Sequence, residues 1–127
     1  YHSPQNAFVA HFVGLSNFLD GVISKRQVET ILGRFNYETT DQGQVDCQEG
    51  QSVKVLIRPE YIQIAEGSSS RAELVSREFR GGYYRYVLRL QGDEEIQALL
   101  PSLANYQLGE SIGITLSVDK VSVFIND

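Results

Sequence analysis

A chain of 127 residues fits one domain and leaves little room for two. With 42% hydrophobic and 21% charged residues, it can bury a real core and is not compositionally disordered. Sixteen acidic residues against 11 basic ones leave a net charge of −5, which argues against a general nucleic-acid binder, because neutralising phosphates takes clustered Lys and Arg.

The single cysteine, Cys47, excludes an internal disulfide and a paired-cysteine zinc site, and it suits a reducing cytosol. No apolar run is long enough to cross a bilayer. The chain contains no Met, and its start, Tyr1-His2-Ser3-Pro4, is neither a signal peptide nor an initiator. It reads as a piece of something longer, or as a processed chain.

The first segment, residues 1–14, reads as a short helix. Ser3 can cap it and Pro4 suits the first helical position. Phe8, Val9, Phe12 and Val13 then share one face, and Gly14 stops the run. Such a stripe needs a sheet or another protein to cover it.

From Asn17 the period changes to two. Asn17 to Ser24 is expected as a strand broken near Asp20-Gly21, and Gln27 to Phe35 as another, with Val28 and Ile31 in the core. Thr39 to Gln51 is polar and reads as turns with at most a short strand. In Ser52 to Arg58, Val53, Val55 and Ile57 alternate with Lys54, Leu56 and Arg58, and Pro59 ends the run. Tyr61 to Ala65 is a short apolar piece, followed by the loop Gly67-Ser68-Ser69-Ser70.

Arg71 to Phe79 reads as a strand and Gly81-Gly82 as a turn. Tyr84, Tyr86, Leu88 and Leu90 alternate with Arg85, Val87 and Arg89. Glu95 to Leu100 fits helix or strand, and its place between strands favours strand. Ile112, Ile114, Leu116 and Val118 form the cleanest half-buried pattern, and Val121, Val123 and Ile125 a last strand. Eight to ten short strands after one helix point to a barrel or sandwich, with two halves of similar strand content.

Motifs for chemistry are missing. There is no Gly-Lys pair for a P-loop and no GxSxG elbow. His2 and His11 lack helical metal spacing. Asp41, Asp46 and Glu49 lack calcium-loop spacing. Glu94 and Glu95 are adjacent on a strand and point oppositely, and Cys47 has no basic neighbour to activate it. Arg77, Arg80, Arg85 and Arg89 beside Tyr83, Tyr84 and Tyr86 can make a basic-aromatic face for single strands, an ordinary exposed sheet, or a dock for an acidic partner.

Several segments together carry a resemblance. Pro4-Gln5-Asn6-Ala7-Phe8-Val9-Ala10, Phe12-Val13-Gly14 and Asn17-Phe18-Leu19-Asp20-Gly21 resemble the junction in bacterial ABC importer ATPases that leads into their carboxy-terminal TOBE region. Ile57-Arg58-Pro59-Glu60 resembles that family's IRPE element. Leu74 to Gly81, Gly109 to Ile112 and Val121 to Phe124 resemble its later strands, in the same order. The resemblance implies an all-β fold of OB-like barrel modules over residues 15–127, preceded by a linker helix over 1–14. It implies a regulatory role without catalysis, because the nucleotide-binding domain with its ATP and Mg is missing from this chain.

The implied partners are that domain, a second copy of the chain and the permease subunits, on the cytoplasmic face of the inner membrane, with no nucleic acid. Phe8, Phe12, Asn17, Phe18, Arg58 and Glu60 are the expected interface residues. The segment from Phe79 to Leu90 is most similar to the ferric-iron importers. Two alternatives stand beside this reading: a stand-alone barrel binding a small ligand or oxyanion, and an OB-fold binder of single-stranded nucleic acid.

Overall fold

The computed structural model describes residues 17–39, 47–101 and 106–125. The expected linker helix, with Phe8 and Phe12, lies outside the described residues. Ten strands follow in order: β1 Asn17–Ser24, β2 Gln27–Thr30, β3 Gly33–Thr39, β4 Ser52–Ile57, β5 Ile62–Ile64, β6 Arg71–Phe79, β7 Tyr84–Leu90, β8 Glu95–Leu100, β9 Ser111–Leu116 and β10 Lys120–Ile125. A single 3-10 turn, Pro59–Tyr61, is the only helical element among the described residues. The chain divides into two compact units: one runs to Ile57 and resumes at Val118, and the other spans Arg58–Ser117.

The first unit is a closed barrel in the order β1-β2-β3-β10-β4. All its ladders are antiparallel except β3 with β10, which is parallel. This is the five-stranded ring of an OB-like barrel. Period-two patterning closes it: Leu19, Ile23, Val28, Val53, Val55, Ile57, Val121 and Val123 all point inward and are buried. Burying each such side chain stabilises the unit by about 1.5–3 kcal/mol.

Two expectations change here. β1 is continuous through Asp20-Gly21, because Gly21 faces inward where Val28 and Val55 leave no room for a side chain. Gln27 to Phe35 is two strands, β2 and β3, joined by Ile31-Leu32; Leu32 is buried and Ile31 is 44% exposed. Core placement was thus right for Val28 and wrong for Ile31. The turn rotates Ile31 outward and turns its neighbour in.

The second unit is a five-stranded sheet in the order β5-β9-β6-β7-β8, antiparallel throughout. Glu95 to Leu100 is a strand, as its setting between strands suggested. Its core is Ile62, Leu74, Tyr86, Leu88, Ile96, Ala98, Ile112 and Ile114. The edge strands β5 and β8 approach one another. Four antiparallel steps separate them, so they run in the same direction.

The ring order is therefore that of the first barrel, with β5 in the place that β10 holds there. The second unit is continuous in sequence, from β5 to β9, and is inserted between β4 and β10 of the first. β5 follows β4 yet belongs to the second unit, and β10 follows β9 yet closes the first.

Candidate interaction site

Asn17 opens β1, stands opposite Ile57 of β4 in register, and is buried. Its side-chain Nδ2 donates to the Ile57 carbonyl at 3.2 Å. The bond ties the start of β1 to the last residue of β4, and burial keeps water from competing for it. Phe18, the next residue, faces out of the barrel and is 39% exposed. Its ring meets that of Phe124 edge-on, with centroids 5.9 Å apart. Leu56 is its cross-strand partner in β4.

Phe18, Leu56 and Phe124 thus form an apolar patch on the outside of the first barrel. Beside it, Lys54 Nζ bonds Asp20 Oδ1 at 2.6 Å. Of the three patch residues, sequence reasoning named only Phe18 for an interface. The signal for the other two was parity: both are large apolar residues at outward positions of strands whose alternate residues are buried.

Arg58 and Glu60 are in the second unit and pair with each other, Nε to Oε2 at 2.8 Å. Between them Pro59 is buried and starts the 3-10 turn. The Tyr61 amide donates to the Arg58 carbonyl at 2.9 Å, closing that turn. Both charged side chains are nearly half exposed, so the pair is worth about 1 kcal/mol or less. The local work of Ile57-Arg58-Pro59-Glu60 is to end β4 and turn the chain into β5.

The basic-aromatic face splits in two. Tyr84 and Tyr86 lie on the core side of β7, and Tyr86 is fully buried. Arg85 and Arg89 alternate with them and point the other way. Arg85 bonds Glu78 at 2.7 Å and Gln97 at 3.2 Å, and Arg89 bridges Glu73 at 3.3 Å and Glu95 at 3.2 Å. Those two arginines are held by protein groups, so no continuous basic strip with stacked tyrosines forms. Among the described residues, no group of three or more His, Cys, Asp or Glu side chains is placed to hold a metal ion. Among the described residues, no helix is long and apolar enough to cross a membrane.

The fold is a β module built of a closed five-stranded barrel and a five-stranded sheet. Residues 55–124 match the family model described as the TOBE domain. The chain belongs to the TOBE domain family.

The spermidine/putrescine import ATP-binding protein PotA of Clostridium acetobutylicum is 29% identical over 125 residues, covering 97% of this chain and 34% of the relative. PotA of Acetivibrio thermocellus is 32% identical over 127 residues, covering 98% of this chain and 34% of its own length. The chain thus spans about a third of the curated relatives it matches. A solved structure of the cytoplasmic molybdate-binding protein ModG, with molybdate bound, superposes with a TM-score of 0.68, covering 89% of this chain and 98% of that one. At 13% identity that likeness speaks to the fold alone.

Proposed function

We propose that the chain is the carboxy-terminal regulatory and dimerisation region of the ATP-binding subunit of an ABC importer. The observation that carries this reading is the pattern of coverage: 97–98% of the chain aligns with PotA proteins while taking up 34% of each. On this reading, ATP and Mg belong to a nucleotide-binding domain in the remaining two thirds. The partners are that domain, a second copy of the subunit and the permease, at the cytoplasmic face of the bacterial inner membrane. The region itself hydrolyses nothing.

The solute reading moves from ferric iron to spermidine or putrescine, because the relatives named above are polyamine import proteins. The patch of Phe18, Leu56 and Phe124 is the part of the first barrel best suited to contact between domains or copies. It is apolar and outward-facing.

Uptake of labelled spermidine and of ferric iron, in cells lacking the parent gene, tests the assignment. Loss of spermidine uptake with iron uptake intact supports it. The reverse pattern returns the solute to iron, and no change in either contradicts the importer reading. Titration with molybdate tests the stand-alone oxyanion barrel; saturable heat at micromolar concentration would favour that alternative.

A further inference from the structure

Strand β6 has nine residues, and its two edges are used unequally. β7 pairs with it from Ala72 to Phe79. On the other edge β9 covers only Arg71–Glu73. Leu74 adds two bonds on that side, its amide to the Glu110 carbonyl and its carbonyl to the Gly109 amide. Beyond Leu74, no described strand pairs with that edge.

The ladder shows which groups face the open side. A β-bulge falls between Leu74 and Ser76. Past it Ser76, Glu78 and Arg80 stand opposite Val87, Arg85 and Tyr83, and the Arg80 amide donates to the Tyr83 carbonyl at 2.8 Å. Bonding alternates along an antiparallel strand, so Arg77 and Phe79 turn their N–H and C=O groups outward. An edge of this kind is a template for another strand.

The side chains above it share a character. Phe79 is 63% exposed and meets Tyr84 edge-on at 5.3 Å. The Arg77 guanidinium lies 6.0 Å from the centre of the Tyr84 ring. No carboxylate of β6, β7 or β8 shares this face. Glu78 points to the opposite face and bonds Arg85 at 2.7 Å and Arg80 at 3.5 Å. A cationic, aromatic edge thus stands on a chain whose net charge is −5.

We infer that the distal half of β6 is a docking edge for an extended, acidic segment of a partner protein, which adds to the sheet as a further strand. Outward backbone groups at Arg77 and Phe79 bind its main chain. Phe79 and Tyr84 give its apolar side chains a shelf, and Arg77 selects for a carboxylate. The inference stands independently of the transporter reading.

The test uses the whole chain with a short synthetic peptide that alternates Val with Asp or Glu, and a counterpart carrying Lys at the acidic positions. The acidic peptide should slow amide exchange at Arg77 and Phe79 by about tenfold or more, with binding that weakens as salt rises. Arg77→Glu and Phe79→Pro should each weaken binding by about tenfold while leaving the far-ultraviolet circular dichroism unchanged. Phe79→Pro deletes an outward N–H without touching the β6–β7 ladder. If either variant unfolds, the other carries the test.

No slowing at millimolar peptide, or equal binding of the Lys counterpart, would overturn the inference. So would exchange that slows with protein concentration alone, which would mean that the edge pairs with a second copy.

Discussion

Gly113 shows how far one position can decide the packing of a unit. Its amide carbonyl accepts the Ala65 N–H at 2.8 Å, and a methyl group built on its Cα would run into the Ala65 carbonyl oxygen. That oxygen is backbone and is held by the Ser68 amide at 2.9 Å, so it cannot swing aside. Gly113→Ala should therefore cost at least about 3 kcal/mol, at the upper end of overpacking penalties. Gly67→Ala is the control: nothing lies within 4 Å of its would-be side chain, and the change should stay within about 0.5 kcal/mol. Urea unfolding of the two variants checks this, with a lowered midpoint and unchanged slope expected only for Gly113→Ala. Composition alone hides such a residue, because a Gly in an alternating strand looks the same whether it faces backbone or solvent.

Elements were the most legible level. β4 and β8 alternate cleanly; β7 and β10 do so except that Tyr84 and Ile125 are only half-buried, and in β9 Gly113 is buried between Ile112 and Ile114. The misses fall where a turn breaks the count. Ile31 and Leu32 are apolar and continue the strand pattern through the turn, and the one marker of the reversal is Gly33, at φ 125°, so the two strands read as one. The Lys25-Arg26 turn lacks such a residue, yet the strand ends at Ser24 and Gln27 stand where the change of pattern put them.

Both Lys25 and Arg26 have positive φ, 54° and 66°, in the two-residue connection between β1 and β2. That geometry favours Asn-Gly, and left-handed backbone costs an ordinary residue about 1–2 kcal/mol. Replacing Lys25-Arg26 with Asn-Gly should stabilise the chain by about 1 kcal/mol. The Lys25 amide can still donate to Glu49 Oε1, now at 2.9 Å, because that bond uses only backbone at the turn. A thermal midpoint that falls instead would show that the two cationic side chains contribute more than the turn strain they impose. The candidate site was half legible: Asn17 and Phe18 were visible through the resemblance. Leu56 and Phe124 needed the register to bring three strands onto one outer patch.

At the scale of the whole molecule, the second unit is inserted within the first in sequence, so the first barrel depends on a strand that follows the insertion. Removing residues 118–127 deletes β10, which pairs with both β3 and β4. The first barrel then loses its closure and exposes two strand edges, while every strand of the second unit remains. In a chain ending at Ser117, amide exchange at Leu19 and Val55 should approach unfolded rates, and Leu88 and Ile96 should stay protected. Protection retained at Leu19 would contradict the dependence.

The central claim is that this chain is the TOBE region of an importer's ATP-binding subunit. The intact mass and peptide map of the native protein from its source test that most directly. Since the chain covers 34% of its PotA relatives, the account expects a protein about three times as long, with a P-loop and a signature motif ahead of Tyr1. A native protein that carries an initiator methionine directly before Tyr1 and no nucleotide-binding sequence would contradict it.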